Sequence, residues 1–200
     1  MPRTPEPEEV EPLGPSAESK QLLAWTLSLF ALTFGGLFFV ASYIIPEVEP
    51  GFPATEKVEV LPDGTFQITI GVRDRDKWVG LDMGAGTVVP EGRPADLRFR
   101  RYVVRAPGGA AALGEVPLEM EKLPEDLQWE FDVNVDGGLQ NPAVARWYEY
   151  GLQSHLLTTK GETYVVQRST GKGKATFQIV SYYCEPEGSG CLTIRYRFMP

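Results

Sequence analysis

The residue types able to do chemistry are scarce in this chain: one histidine, His155, and two cysteines, Cys184 and Cys191. Nucleophilic catalysis needs a base held against an activated nucleophile. The sequence has no G-x-S-x-G elbow, and a lone histidine beside two cysteines that can bond to one another builds no triad. The segment Asp132-Val133-Asn134-Val135-Asp136-Gly137 has oxygen ligands at the spacing of the first half of a calcium loop. Ala143, however, occupies the twelfth position, where a bidentate glutamate is required. The alternating valines read instead as a strand running into a turn. Ser169-Thr170-Gly171-Lys172-Gly173-Lys174 superficially suggests a phosphate loop. It lacks the upstream glycine and the following helix that would aim backbone amides at phosphate, and a hairpin turn explains it.

The cysteines flank Glu-Pro-Glu-Gly-Ser-Gly, a turn-like stretch. In an oxidising compartment a Cys184–Cys191 disulfide across a hairpin end is expected, and in the cytosol two free thiols. Zinc wants four ligands and no second cluster exists, so no metal site is expected.

The chain has 200 residues and a formal charge of -8, with carboxylates spread along it. This is one ordinary domain plus short appendages. The basic footprint that nucleic acid demands is missing. Asp74, Asp76 and Asp82 fall on turn-like sequence and read as solvated.

Leu22 to Ile45 is an uncharged apolar run of 24 residues, long enough as a helix to cross a hydrocarbon core of about 30 Å. Trp25 and Tyr43 sit near its ends, where amphipathic rings favour the interface, and Pro46 stops the helix. A cleaved signal peptide would have a shorter apolar region and a small-x-small cleavage site. Ala31 and Gly35, four apart, with Gly36 adjoining, would let another helix approach closely. Arg3 and Lys20 precede the run and Lys57 is the first cation after it, a bias toward an inside N-terminus. Residues 1–21 are proline- and glutamate-rich and read as a disordered cytoplasmic tail. Residues 46–54 read as a linker and residues 55–200 as the extracytoplasmic domain.

That domain alternates β-rich runs with turn chemistry. Lys57–Leu61 and Thr65–Val72 are joined by Pro62-Asp63-Gly64, a hairpin. Leu97–Arg105 reads as one strand with a wet face. Thr163–Ser169, Ala175–Tyr183 and Leu192–Phe198 read as an antiparallel meander. Trp78, Trp129 and Trp147 supply bulk for a two-layer β-sandwich-like core.

Two stretches resemble the HmuY family of bacterial extracytoplasmic, haem-binding-related proteins. One runs from Trp78 through PADLRFRRYVVRAPGG. The other is the ordered succession Trp147-Tyr148-Glu149-Tyr150, His155, Tyr164-Val165-Val166, the turn from Gly171 to Lys174, Phe177 to Tyr183 and the closing LTIRYRF. The resemblance implies a mainly β, antiparallel HmuY-type domain in the periplasm, here behind a transmembrane anchor in the bacterial inner membrane. In some relatives haem is held between two axial histidines or methionines. With one histidine in the chain, a bis-histidine site within a monomer is excluded.

The resemblance makes His155 a candidate haem ligand, with Met83 or Met120 as candidates for the sixth position. The plainer reading of His155 is a histidine near a strand end, bonded to backbone or solvent. The residues themselves require no cofactor; haem enters through the resemblance alone. Two non-enzymatic functions therefore stand. The preferred one is an accessory subunit, whose span docks a larger membrane assembly and whose β domain braces its outer surface. The alternative is a membrane-tethered binder of haem or another small ligand.

Overall fold

The computed structural model describes residues 17–43, 49–136, 138–186 and 188–200, with the backbone alone for residue 17 and residues 38–43. The expected disordered tail therefore lies mostly outside the described residues, as do the side chain of Tyr43 and the first part of the linker. The chain divides into two units between Glu47 and Val48.

The first unit contains helix α1, Ala17–Tyr43. It begins five residues ahead of the apolar run and takes in the polar turn from Glu18 to Gln21, which straight-chain side chains permit. Its described side chains are exposed, Leu22, Trp25 and Leu37 among them. Two hydroxyls turn back onto the helix: Thr26 Oγ1 donates to the Leu22 carbonyl at 2.8 Å and Thr33 Oγ1 to the Leu29 carbonyl at 2.7 Å. Among the described residues no helix is long and apolar enough to cross a membrane. The described side chains of α1 end at Leu37, and the rest of the apolar run lies beyond them.

The second unit is built of short strands. In chain order these are β1 (Glu59–Val60), β2 (Phe66–Gly71), β3 (Val79–Asp82), β4 (Thr87–Val89), β5 (Leu97–Arg100), β6 (Val103–Arg105) and β7 (Ala110–Gly114). Then come β8 (Val133–Val135), β9 (Gly138–Gln140), β10 (Tyr148–Tyr150), β11 (Leu157–Thr159), β12 (Thr163–Gln167), β13 (Lys174–Tyr183) and β14 (Ser189–Phe198). A six-stranded sheet runs β1-β2-β14-β13-β12-β7 and a four-stranded sheet β4-β3-β5-β6; β8–β9 and β10–β11 are separate hairpins. All named strand pairs are antiparallel, and an isolated parallel bridge joins Phe52 to Cys184.

The expected first hairpin forms as β1–β2, with Val60 opposite Phe66. Asp63 caps the turn by accepting from Thr65 N at 2.9 Å, and Gly64 takes a φ of 80° that a side chain would resist. The C-terminal meander also forms, as β12-β13-β14. The single strand expected over Leu97–Arg105 does not. It folds back at Arg101-Tyr102 into the β5–β6 hairpin, so that Arg98 faces Arg105 across the ladder. Arg101 has a φ of 54°, the left-handed geometry a two-residue hairpin turn demands. No glycine marks this turn, and the alternation of the flanking residues conceals it.

One hydrophobic cluster joins both sheets. Ile68, Ile70, Phe177, Ile194 and Tyr196 come from the large sheet, Leu81, Leu97, Phe99 and Val104 from the small one, and Trp147 joins them from just ahead of β10. Burying each large aliphatic or aromatic side chain contributes about 1.5–3 kcal/mol. Trp147 is fully buried in this cluster, as core-filling predicts, whereas Trp78 is buried beneath the Arg100 and Arg105 guanidiniums and outside the cluster, and Trp129 is only partly covered and lies beneath the Lys174 ammonium, 5.3 Å from the ring centre. The Cys184–Cys191 disulfide closes the end of the β13–β14 hairpin.

Candidate functional site

Strand β13 does not keep a regular register to its end. Its pairing with β14 shifts between Ile179 and Ser181 and again between Ser181 and Tyr183. A regular strand sends neighbours to opposite faces, whereas a bulge inserts a residue and re-aims the side chains beyond it. Here Tyr182 and Tyr183 both turn toward one cleft. Ser181 stabilises the irregularity: its hydroxyl donates to the Pro50 carbonyl at 2.8 Å and accepts from Tyr183 N at 3.1 Å.

The cleft measures about 720 Å³, within the range of roughly 300–1,000 Å³ typical of small-molecule sites. Tyr182 and Tyr183 form one wall. The β10–β11 hairpin brings Tyr148, Tyr150, His155 and Leu157, and the β5–β6 turn brings Arg101 and Tyr102. The rings brace one another edge to face: Tyr102 with Tyr148 at 5.7 Å, Tyr148 with Trp147 at 5.0 Å and Tyr182 with Tyr183 at 6.2 Å between centres. Trp147 Nε1 donates to the Tyr102 carbonyl at 2.9 Å, tying the turn to the hairpin. Tyr183 Oη accepts from Leu157 N and donates to the Leu157 carbonyl, both at 2.9 Å, so a side chain serves as ladder partner for β11.

His155 lines this cleft and is exposed. Its backbone has a φ of 56°, held by donation from His155 N to the Gly151 carbonyl at 2.7 Å. The exposed imidazole places Nδ1 2.5 Å from Tyr150 Oη. The imidazole thus meets an aromatic hydroxyl of the same cleft. Burial raises the Tyr148 hydroxyl above its ordinary range, with Tyr102 and Tyr182 adding to it. Burial likewise raises Tyr183, opposed by its bond to Leu157. At neutral pH both are therefore uncharged phenols.

Other expectations are redistributed. Met83 is buried, its carbonyl accepting from Tyr196 Oη at 3.0 Å, and Met120 lines a different pocket together with Arg197 and Pro200; neither lines the cleft. Asp132 accepts from Arg105 Nε at 3.0 Å and from Ala106 N at 2.8 Å, and Val133–Val135 is a strand. Among the described residues no three carboxylates, cysteines or histidines gather as a metal group. Thr170 in the glycine-lysine turn donates through N to Asp96 Oδ1 and through Oγ1 to Asp96 Oδ2, each at 2.8 Å. Asp82, expected to be solvated, accepts from the same hydroxyl at 3.0 Å. Ala31, Gly35 and Gly36 lie exposed on α1, with nothing within 4 Å of a Cβ built on either glycine.

The five cleft tyrosines and Arg101 were not singled out by sequence reasoning as a site. Their available signal was the recurrence of tyrosine beside His155 and at the end of the longest meander strand.

No family model matches the sequence, and no curated protein does. Solved structures do match. A protein designated HmuY-like and heme-binding, from Bacteroides vulgatus, superposes with a TM-score of 0.57 at 17% identity, covering 71% of this chain and 97% of the other. The apo HmuY analogue of Tannerella forsythia gives 0.56 at 15%, covering 67% and 95%. A Bacteroides fragilis protein designated a lipoprotein gives 0.55 at 14%, covering 70% and 95%. The antiparallel β domain of this chain has the HmuY-like fold.

Proposed function

We propose that this protein is a non-enzymatic binder of a flat, largely apolar ligand of the haem class, held in the Tyr148–His155 cleft and tethered to a membrane by α1. The observation that carries the reading is the cleft itself: five tyrosines, one imidazole and one guanidinium around about 720 Å³.

The donor set suits haem. Nε2 of His155 has no partner among the described residues. When Nδ1–H donates to Tyr150 Oη, the Nε2 lone pair faces outward as a metal ligand, with the phenol as its orienting neighbour. The tyrosine rings supply stacking surface and Arg101 a cation for a carboxylate. Haem would supply the iron and its redox and ligand chemistry. The protein's part is to bind, orient and shield.

Two features support the tether. From Leu22 to Leu37 the helix, unlike a water-facing one, carries no charged residue on any face, and Thr26 and Thr33 satisfy their own hydroxyls within the helix. The extracytoplasmic location fits the disulfide. The fold relatives favour ligand binding over the accessory-subunit role expected from the sequence.

Titration of the full chain in neutral detergent with ferric haem tests the proposal. The expected result is a stoichiometric Soret shift, weakened at least tenfold by His155→Ala. Haem absorption that stays that of the free cofactor would sink it.

A further inference from the structure

The face of the small sheet turned away from the core concentrates positive charge in an acidic protein. Along β5, Leu97 and Phe99 are fully buried, which sends Arg98 and Arg100 to the opposite face. Arg98 lies directly across from Arg105, a like-charge pairing that destabilises a ladder unless something compensates it. Arg105 is compensated by Asp132 at 3.0 Å. The other two are not: among the described residues no ion pair involves Arg98 or Arg100.

Both Arg100 and Arg105 stack over the Trp78 ring, 4.7 and 5.2 Å from its centre, so the indole fixes where those guanidiniums sit. Arg98 Nη2 donates to the Arg93 carbonyl, while Nη1 is buried with no hydrogen-bond partner. Burial, with Arg105 adding to it and Glu91 opposing, pushes the Arg98 guanidinium below its ordinary value. A buried donor left unpaired is costly, and a bound acceptor would relieve that cost.

We infer that Arg98 and Arg100, floored by Trp78, form a binding site for an oxyanion of the phosphate type. Two half-buried guanidiniums that no carboxylate pairs directly among the described residues match the charge of a phosphate dianion, and their planar forks match its oxygens. This site is built on the sheet face and does not rest on the ligand proposed for the cleft.

The test uses the full chain in neutral maltoside micelles at low salt. One arm adds inorganic pyrophosphate and the other dopes the micelles with phosphatidylglycerol, each against sodium chloride at matched ionic strength. The expected result is a rise in melting temperature in at least one arm, with Arg98→Gln or Arg100→Gln weakening the apparent affinity at least tenfold. Arg98→Lys, which keeps charge and stem, should fold normally and bind more weakly than wild type. A rise with pyrophosphate identifies a soluble anion as sufficient, and a rise confined to phosphatidylglycerol identifies a lipid headgroup. No rise in either arm, a rise matched by chloride, or a rise that survives both glutamine variants overturns the inference.

Discussion

The glycine-lysine turn from Ser169 to Lys174 and the loop from Tyr150 to Leu157 are both short surface connections between antiparallel strands. The first has the composition of a phosphate loop, yet its polar groups are occupied: Ser169 Oγ donates to the Ala95 carbonyl, and Thr170 is clasped by Asp96 and Asp82. Asp96 is fully buried and also accepts from Met83 N at 3.0 Å. The second connection looks plain, yet Tyr150 and His155 stay half open, bonded to one another beside an aromatic cleft. Chemistry available to a ligand lies where polar groups are positioned but not saturated. Residue type alone does not distinguish the two connections.

The largest effect is expected at Asp96. Replacing it with alanine leaves Thr170, Met83 N and Arg168 without their buried acceptor, and should cost about 3–5 kcal/mol in denaturant unfolding. The folded fraction should keep its haem affinity, because the clasp serves structure; a selective loss of affinity would show that the two connections communicate. A smaller effect is expected at the disulfide beside the cleft. The Cys184→Ser, Cys191→Ser double variant releases a seven-residue separation and should lose about 2.5 kcal/mol by loop-closure entropy. Its melting temperature should no longer respond to reductant, whereas that of the wild type should fall on reduction.

Tyr183→Phe probes the open connection. It removes one hydroxyl that both accepts from and donates to Leu157, at an expected cost of about 1–2 kcal/mol. Faster hydrogen exchange at the Leu157 amide should accompany it, together with weaker ligand binding, a pairing that Asp96→Ala should not show. The subtlest effect is in pH. Burial pushes the Tyr196 hydroxyl up to about 12 from its ordinary 10.0, Arg168 opposing and Asp96 and Asp82 assisting. Between those values the unfolded chain loses a proton that the folded chain retains, so stability should fall as pH rises from about 10 to about 12. Melting temperature measured across that window should decline less steeply in Tyr196→Phe.

Much of the fold was legible because the signals were local. The Pro62-Asp63-Gly64 turn announces its own hairpin, the β12-β13-β14 runs alternate between short turns, and two cysteines seven apart need only a bend to meet. The β5–β6 fold-back was not legible, since Arg101-Tyr102 carries no glycine and the left-handed φ of Arg101 is held by pairing on either side. His155 was legible as the sole imidazole, but its tyrosine surroundings were not, because they come from three separate segments of the chain.

What the sequence determined by itself is what needs only near neighbours or overall composition: an apolar helical run, a β-rich remainder, one imidazole and a disulfide-ready loop. What tertiary structure decided is which polar groups are spent and which are spare. Asp96 meets Thr170 across 74 positions, Tyr183 meets Leu157 across 26, and two register shifts at the end of β13 turn adjacent tyrosines into one cleft. Such partnerships depend on strands brought together by burial of a shared core, and no local window of sequence records them.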